Sequence, residues 1–321
     1  MEQSSKAVAG VIGLGIIGSR VTACLRKSGY QVWLWNRSLR PEPNFLSSPA
    51  EVAESAKHIQ IFVANGEALL AVLRSMAPVL TPEHIIINHA TVSPSETREA
   101  AAIVADRHAA YLDAPFTGSR DAAQAGELIY YIGGDTAVLE RVRTLLQVSS
   151  KTILAVGEIG HASVVKIATN VISATAVGAL TEALALLDSH GVPLQHLSRA
   201  LEYNAARSPV IDMKLPSMVS GDFDTRFSLK NMFKDVQLAI AAADEKNLEL
   251  PAASAFAGIA MAGIERGWGD ADFSVISRFY GYPGRETSPP PLPDPNSPTT
   301  NSTQAPAPRL RNLWNLFQRN K

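Results

Sequence analysis

The amino-acid sequence predicts an α/β protein: a Rossmann-type doubly wound sheet followed by an all-helical domain. Short apolar segments alternate with helical patterns up to about residue 156, a rhythm that is typical of a parallel sheet. A glycine-rich turn joins the first strand to the first helix. From His161 onward only helical patterns occur, and the first of them is a long Ala-rich helix over His161–Ser189.

The glycine-rich turn predicts a site for a dinucleotide. The first strand, Ala7–Ile12, runs into a turn and then a helix over Ile16–Ser28, with Gly29 as its C-cap. In such a unit the first glycine permits the tight turn, the second lets the backbone approach a pyrophosphate, and the third lets the helix pack on the strand. An ordinary tight turn is the alternative interpretation. The residues expected to hold the phosphates at the helix N-terminus are Gly13, Leu14, Gly15, Ile16, Ile17 and Gly18.

The end of the second strand indicates which dinucleotide binds. The strand Gln31–Trp35 is followed by Asn36, Arg37 and Ser38. An Asp or Glu at this place would bond the ribose 2′-hydroxyl of NAD, but no acid is present. An arginine fits the 2′-phosphate of NADP through charge-assisted bonds, although it could also be a solvated loop residue. The sequence therefore favours NADP (as NADPH) over NAD.

We place three segments along the chain: an NADP-binding domain over 1–157, an all-helical substrate and oligomerisation domain over 158–286, and a tail over 287–321. The tail is rich in Pro, Ser, Thr and Asn and is expected to be disordered. Its last part, Arg309–Lys321, fits a short amphipathic helix that docks on a partner or an anionic surface, and a frayed tail without a role is the slightly favoured alternative. Further strands are predicted at Ile59–Ala64, His84–Asn88, Ala110–Asp113 and Leu128–Ile132, and further helices at Leu194–Tyr203, Leu229–Lys246 and Ala252–Arg266.

Composition argues against several classes of protein. The chain has 321 residues, 46% of them hydrophobic and 18% charged, as in a globular protein with a large core. A net charge of −1 gives no indication of nucleic-acid binding. The single cysteine, Cys24, allows no internal disulfide and indicates a reducing compartment, the cytoplasm. The histidines lack metal-ligand spacing, so no metal site is expected. The first strand starts too early for a signal peptide, and the uncharged stretch Ile167–Thr181 is expected to be too short and too polar to span a membrane.

Two groups of residues could carry chemistry. Lys166 and Asn170 are four residues apart on the long helix, so they share a face within an otherwise apolar stretch. Burial lowers the pKa of a lysine and lets it act as an acid or base near neutral pH, whereas a surface lysine would have no such role. The second group follows the fifth predicted strand. There Thr117, Gly118 and Ser119 could hold a carboxylate, or they could form an ordinary turn.

Five blocks of sequence stand out in order between about Val8 and Tyr280: Gly13–Gly18 with Trp35–Ser38, Ala90–Pro94, Asp113–Leu128, Gly160–Asn170 and Phe227–Asp235. Together these blocks resemble the β-hydroxyacid dehydrogenase family. This family includes 3-hydroxyisobutyrate dehydrogenase, tartronate semialdehyde reductase and the glyoxylate/succinic semialdehyde reductases. The Gly118-Ser119 pair, where the family usually has two glycines, and the stretch Gly269–Ser274 are most similar to the last of these branches.

The resemblance implies an NAD(P)-dependent oxidoreductase that acts on CH–OH or C=O groups. It implies that Lys166 is the catalytic acid, that Asn170 orients the substrate, and that Thr91 and Lys234 lie at the cofactor. The expected reaction is the NADPH-dependent reduction of a small aldehyde or keto acid, reversible as the oxidation of a 3-hydroxyacid. The expected enzyme is a homo-oligomer whose partner is a small substrate bearing a carboxylate, and no nucleic acid or stable membrane insertion is expected.

Several residues depart from the family pattern and leave the substrate open. Phe116 and Thr117 replace a usual Val and Ser, Ala162 stands where a second glycine is common, and Val63–Gly66 replaces a usual Met-Leu pair. Two alternatives remain. An imine reductase-like enzyme would share the architecture, but such relatives generally lack the lysine. A non-catalytic NADP-binding scaffold would also lose the lysine, which this chain keeps at Lys166.

Overall fold

The computed structural model describes residues 7–281, so the tail and its amphipathic segment lie outside the described residues. The chain divides into two compact units, Met1–Ile167 and Ala168–Lys321. The division falls inside one continuous helix, His161–Ser189. The domain boundary expected at residue 157 precedes this helix.

A mixed sheet forms the centre of the first unit. Its strands are β1 (Val8–Ile12), β2 (Gln31–Trp35), β3 (His58–Ile61), β4 (Ile85–Asn88), β5 (Ala110–Asp113), β6 (Phe116–Thr117), β7 (Leu128–Gly133) and β8 (Ser150–Gly157). The spatial order is β2-β1-β3-β4-β5-β7-β6, and β8 pairs with β7. The first five strands are parallel, as the sequence predicts, but β7 runs antiparallel to β5 and β6.

Helices cover both faces of this sheet, as a doubly wound fold requires. They are α1 (Gly18–Lys27), α2 (Pro49–Ser55), α3 (Gly66–Met76), α4 (Pro94–Ala105), α5 (Arg120–Ala125) and α6 (Thr136–Gln147). Adjacent residues of β4 point to opposite faces. Ile87 packs with Leu25 of α1 in one core, and Ile86 packs with Leu69 of α3 in the other. The fold class predicted from the sequence is confirmed.

The end of α1 shows how local sequence sets the bounds of a helix. Gly29 lies one residue beyond the C-cap, Ser28, and has a φ of +87°. The N–H of Tyr30 donates to the carbonyl of Leu25 at 3.1 Å, and the N–H of Gly29 donates to Arg26 at 3.0 Å. This pair of bonds is a Schellman motif, which turns the chain sharply towards β2.

The sequence does not predict β6 or β8. The strand β6 has only two residues, so it carries no periodic signal. The strand β8 pairs with β7 alone and leaves Leu154 and Ala155 exposed, so it lacks the continuous burial of a central strand. Both strands exist because β7 offers them partners, which is a tertiary effect.

The second unit is helical through its described residues. Helix α7 (His161–Ser189) has the predicted bounds and is followed by α8 (Gln195–Leu201), α9 (Pro209–Ser220), α10 (Leu229–Asp244), α11 (Pro251–Glu265) and a 3-10 helix (Phe273–Tyr280). The sequence does not predict α9. It contains Pro216, and an internal proline disrupts the pattern by which helices are recognised.

Helix α7 is longer than the uncharged stretch that the sequence singles out. Its 29 residues are enough to cross a membrane by length and composition, so the expectation that this region is too short is wrong. In its most apolar 18-residue window, 33% of the residues are buried inside the protein. The core helix of a globular protein meets the same test, so α7 is weak evidence for a membrane span.

A buried ion pair links distant parts of the helical unit. Nζ of Lys214 in α9 lies 2.8 Å from Oδ2 of Asp272, and the two side chains are 4% and 3% exposed. The same carboxylate accepts hydrogen bonds from the N–H groups of Arg226 and Phe227, at 3.2 and 3.1 Å. The pair therefore joins α9 to the segment that leads into α10 and to the start of the 3-10 helix.

Replacing Lys214 by Met is expected to lower the free energy of unfolding by about 3–5 kcal/mol, because it leaves a buried carboxylate without its counter-ion. Arg207→Met is the matched control. Arg207 lies just before α9 and pairs with Asp212 of α9 at 3.0 Å. Both side chains are about half exposed, so the expected loss is below about 1 kcal/mol. Urea denaturation measures both, and equal losses would contradict the prediction.

Candidate active site

The turn between β1 and α1 has the geometry that a pyrophosphate site needs. Gly13 has a φ of +94°, and a Cβ atom on it would lie 2.1 Å from the carbonyl oxygen of Phe62. A Cβ atom on Gly18 would lie 2.0 Å from the carbonyl oxygen of Gly13. A Cβ atom on Gly15, in contrast, would meet nothing within 4 Å. The first and third glycines thus let backbones pack closely, and the second faces open space that a phosphate could fill.

Helix α1 begins at this turn without a side-chain cap. Each of the other helices that cover the sheet, α2 to α6, has an N-cap side chain whose oxygen accepts a hydrogen bond from an N–H of the first turn. These N-cap residues are Ser48, Asn65, Ser93, Ser119 and Asp135. First-turn N–H groups have no acceptor inside their own helix. The start of α1 is therefore suited to an anion.

Asn36 connects the glycine turn to the loop after β2. Its Oδ1 accepts a hydrogen bond from the N–H of Leu14 at 2.9 Å, and its Nδ2 donates to the carbonyl of Ser38 at 2.9 Å. Arg37 and Ser38 are exposed. Both polar atoms of the Asn36 side chain are therefore hydrogen-bonded to the backbone of the protein. Arg37 lies in the exposed loop that these two hydrogen bonds position.

The segment Val63–Gly66 departs from the family pattern for a local structural reason. Asn65 caps α3 by accepting the N–H of Ala68 at 3.0 Å. A Cβ atom on Gly66 would lie 2.0 Å from Oε1 of Glu96. Glu96 completes a capping box at the start of α4. The Asn-Gly pair therefore allows α3 and α4 to begin close together, and half-buried Thr91 lies just before α4.

The three residues expected to bind the substrate lie on β6 and at the start of α5. Thr117 is half-buried. Gly118 has a φ of +134°, and a Cβ atom on it would lie 2.8 Å from Cδ2 of Leu128. Ser119 caps α5, because its Oγ accepts the N–H of Ala122 at 3.3 Å. The hydroxyl proton of Ser119 can still be donated to another group.

Phe116 belongs to an aromatic group beside the glycine turn. Its ring centroid lies 6.3 Å from that of Phe62, which stacks on His89 at 4.4 Å. His89 in turn lies 4.7 Å from Tyr130. Burial lowers the pKa of His89 to about 3, so its ring is neutral at physiological pH. The bulky residue at position 116 therefore extends this group from the glycine turn to Thr117.

Lys166 lies on the second turn of α7 and is 9% exposed. The start of the helix is held by Asp113, whose carboxylate accepts the N–H groups of Gly160 and Ser163 at 3.1 and 2.9 Å. Burial raises the pKa of Asp113 to about 6, while these hydrogen bonds lower it. Sequence reasoning gives Asp113 no role, because its partners are 47 and 50 residues away.

In the second unit, Asp235 joins two residues that the sequence singles out. Its Oδ2 accepts a hydrogen bond from Nδ2 of Asn170 at 2.6 Å, and its Oδ1 lies 2.8 Å from Nζ of Lys234. Asn170 and Asp235 are 7% and 2% exposed. In the sequence of α7, Asn170 follows Lys166 by four residues. Within the described residues 7–281, no three His, Cys, Asp or Glu side chains are grouped as metal ligands.

Two family models match the chain. Residues 8–157 match the NAD binding domain of 6-phosphogluconate dehydrogenase, and residues 160–280 match the NAD-binding domain of NADP-dependent 3-hydroxyisobutyrate dehydrogenase. The chain belongs to the β-hydroxyacid dehydrogenase family. It is therefore an NAD(P)-dependent oxidoreductase, and the resemblance carried by the five sequence blocks is confirmed.

The proteins to which the chain is similar include two enzymes and a nuclear factor. The chain is 29% identical over 279 residues to glyoxylate/succinic semialdehyde reductase 1 of Arabidopsis thaliana, which covers 83% of the chain and 96% of that protein. It is 28% identical over 275 residues to cytokine-like nuclear factor N-PAC of Mus musculus, covering 84% of the chain but 50% of that protein. The solved structure of Mycobacterium tuberculosis 3-hydroxyisobutyrate dehydrogenase with L-serine has the same fold, with a TM-score of 0.78, 24% identity and coverage of 85% and 98%.

Gly15→Ala is expected to leave the free energy of unfolding within about 1 kcal/mol of the natural protein, because its Cβ has open space. It should raise the Kd for NADPH and NADH at least about tenfold, because the methyl group would occupy the phosphate position. Gly18→Ala is the contrasting variant. Its Cβ would meet a backbone carbonyl at 2.0 Å, so it should be strongly destabilised. Fluorescence titration measures the Kd for the cofactors, and thermal unfolding measures stability. A stable Gly15→Ala variant with an unchanged Kd would contradict the assignment of the phosphate site to Gly15.

Proposed function

We propose that this chain is an NADPH-dependent reductase of small aldehyde or keto acids, of the glyoxylate or succinic semialdehyde type. It would run in reverse as a 3-hydroxyacid dehydrogenase. The observation that carries the proposal is the burial of Lys166 and Asn170, one turn apart on the same face of α7. The similarity to the Arabidopsis reductase, which extends over 96% of that protein, supports the same class of substrate.

The glycine turn fits a dinucleotide, because Gly15 faces open space and α1 has no side-chain cap. When bound, NADPH supplies the hydride. We assign Arg37 and Ser38 to its 2′-phosphate, since an arginine offers several donors to a phosphate. Asn36 keeps these two residues beside the turn. The complete proposed set is Gly13, Leu14, Gly15, Ile16, Ile17, Gly18, Asn36, Arg37, Ser38, Thr91 and Lys234.

Lys166 is the general acid in this proposal. Its ammonium group donates a hydrogen bond to the substrate carbonyl oxygen, where negative charge develops during reduction. The proton then passes to that oxygen and completes the hydroxyl group. In the reverse direction the neutral lysine takes the proton back. Asn170 orients the substrate, and Asp235 fixes the amide of Asn170 through their 2.6 Å hydrogen bond.

The substrate carboxylate is assigned to the segment after β5. Thr117 and Ser119 supply hydroxyl groups, and the φ of +134° at Gly118 turns the backbone between them. Charge-assisted hydrogen bonds of this kind are stronger than neutral ones. Phe116 precedes Thr117 in the chain, and its ring lies 6.3 Å from that of Phe62.

Lys166→Ala is expected to lower kcat by about 10²- to 10⁴-fold, the usual contribution of a general acid. The Kd for NADPH should stay within about threefold, because Lys166 is not in the glycine turn. NADPH oxidation at 340 nm measures turnover. Lys151→Ala, which removes an exposed lysine of β8, is the matched control and should be unchanged. A Lys166→Ala variant with most of its turnover would overturn the assignment.

Arg37→Ala is expected to raise the KM for NADPH at least about tenfold and leave the KM for NADH nearly unchanged, because only NADPH carries the 2′-phosphate. Arg40→Ala removes another exposed arginine from the same loop and serves as the control. Steady-state kinetics with NADPH and with NADH measures both KM values. If Arg37→Ala affected the two cofactors equally, the preference for NADP would have another origin.

Two other functions are separated by one activity panel. A non-catalytic scaffold is suggested by the similarity to N-PAC, and an imine reductase-like enzyme by shared architecture. Lys166 counts against both, because the family resemblance implies that imine reductases and non-catalytic scaffolds generally lack this lysine. The panel contains glyoxylate, succinic semialdehyde, other small semialdehydes and a cyclic imine, each with NADPH and NADH. Cofactor binding without any turnover would favour the scaffold, and turnover of the imine alone would favour the imine reductase.

We also propose that the enzyme is a homo-oligomer in the cytoplasm. The single cysteine supports the compartment. The outward face of α7 carries Val164, Ile172 and Leu186, which are 47%, 67% and 60% exposed. These positions fall within one arc of the helix, and a second copy offers the same apolar stripe in return. A two-fold dimer would cover both stripes at once.

Ile172→Glu is expected to shift the molar mass measured by light scattering towards that of the monomer, because it places a charge in the apolar stripe. Leu248→Glu is the control, since Leu248 is similarly exposed but lies after α10. A natural protein that is already monomeric at micromolar concentration would contradict the proposal. Flotation of the natural protein with lipid vesicles would assign the stripe to a membrane instead.

A further inference from the structure

We propose that Asp113 is a positioning residue for Lys166: its carboxylate fixes the first turn of α7 to the strand end from which the substrate-binding segment begins. This inference rests on the proposed function, because it takes Lys166 as the proton donor. It goes beyond that function by giving a task to a buried acid that neither the sequence nor the proposed chemistry uses.

The contacts of Asp113 are those of a helix cap supplied from a distance. Oδ2 accepts the N–H of Gly160 at 3.1 Å and the N–H of Ser163 at 2.9 Å. The hydroxyl of Ser163 lies 3.0 Å from both carboxylate oxygens and donates to them. A capping side chain normally accepts the N–H of the third helical residue, which is the position of Ser163 in α7. Gly160 has no side chain of its own with which to cap the helix.

A second hydroxyl completes the arrangement. Thr97 of α4 lies 2.8 Å from Oγ of Ser163. Because the proton of Ser163 is directed to the carboxylate, Thr97 acts as the donor in this contact. Asp113, Thr97 and Ser163 are each almost completely buried. The orientation of Ser163 is therefore fixed from two sides, by β5 and by α4.

The strand end that carries Asp113 is itself held rigidly. The N–H of Ala114 donates to the carbonyl of Asn88 at 2.8 Å, and Nδ1 of His89 lies 2.7 Å from the carbonyl oxygen of Ala114. The carbonyl of Pro115 accepts the N–H of Tyr131 at 2.9 Å. Hydrogen bonds therefore hold the two residues between Asp113 and β6, the strand that contains Thr117.

These contacts connect two parts of the proposed chemistry. Lys166 comes three residues after Ser163, which is about 4.5 Å further along the helix. Thr117 comes four residues after Asp113. The carboxylate of Asp113 thus fixes how the first turn of α7 is rotated about the helix axis and where it lies along that axis. Both are fixed relative to the segment around Thr117 that we assign to the substrate. A displacement of about 1 Å between a proton donor and its acceptor is enough to slow a reaction substantially.

A buried carboxylate is a costly way to hold a helix if stability is the only benefit. Ser48, Ser93 and Ser119 cap their helices with neutral local side chains. Removing a charge from water is expensive, and stability alone is weak justification for it. A charged acceptor that makes four contacts holds the helix start more firmly than a single neutral cap. A rigidly held helix start is useful here, because Lys166, the proposed proton donor, follows within one turn.

The test compares three variants whose effects should be graded. Asp113→Asn replaces one acceptor by an NH₂ group and should lower kcat at least about tenfold. Ser163→Ala keeps both N–H contacts and should lower kcat by a smaller factor of about three to ten. Thr97→Val keeps every contact of Asp113 but removes the hydroxyl that supports Ser163, so it should lower kcat by less than Ser163→Ala does. All rates are expressed per NADPH-binding site, and the Kd for NADPH should remain within threefold in each variant.

A kinetic isotope effect separates positioning from a general loss of structure. With NADPH deuterated at the transferred position, Asp113→Asn and Ser163→Ala should show a larger isotope effect on kcat than the natural protein, because a misplaced proton donor slows the chemical step itself. A purely structural role would reduce the number of binding sites but leave kcat per site and the isotope effect unchanged. That result would overturn the proposal.

The outcome can be distinguished from a failure of the proposed function. If Lys166→Ala keeps its turnover, the proposed function fails whatever Asp113 does. If Lys166→Ala is inactive but Asp113→Asn matches the natural protein in kcat per site and isotope effect, only the positioning role fails. Should Asp113→Asn not fold, Ser163→Ala decides alone: a lower kcat with a larger isotope effect supports the proposal, and unchanged values refute it.

Discussion

The N–H groups at the start of each helix need an acceptor, and the ways in which this chain supplies one organise its sheet unit. Helices α2 to α6 use a side chain of their own first turn or cap. Helix α7 uses Asp113, which comes from the end of β5. Helix α1 has no side-chain acceptor, and Gly15 beside it faces open space. Of the helices that cover the sheet, α1 is thus the one without a side-chain cap, and we propose that a phosphate binds there. The helix that is capped from a distance, α7, carries Lys166.

The departures from the family pattern have different physical meanings. The Asn65-Gly66 pair serves the packing of two helix starts, since one residue caps α3 and the other makes room for Glu96. It therefore says little about the substrate. Phe116 is different, because its half-buried ring extends an aromatic group from the glycine turn to Thr117. Phe116 also precedes Thr117, which we propose binds the substrate carboxylate, so the volume of its side chain bears on that proposed position.

Three buried carboxylates of the described residues join segments that are distant in the chain. Asp113 joins β5 to the start of α7, and Asp235 joins Asn170 to Lys234. Asp272 joins α9 to the segment before α10. Hydrogen bonds compensate the buried charge of each carboxylate, which would otherwise be costly, and Asp235 and Asp272 also lie 2.8 Å from a lysine Nζ. A carboxylate has two oxygens and can accept from more than one segment, so it is well suited to this task.

The sequence by itself determined the features that depend on neighbouring residues. Periodicity and caps predict β5 and α7 at their observed bounds, and the glycine spacing predicts the turn at Gly13. Only the tertiary structure decided the antiparallel direction of β7, the edge strand β8 and the helix around Pro216. It also decided the role of Asp113, whose partners lie 47 and 50 residues away. Each of these features depends on contacts between residues far apart in the chain, and local periodicity carries no information about them.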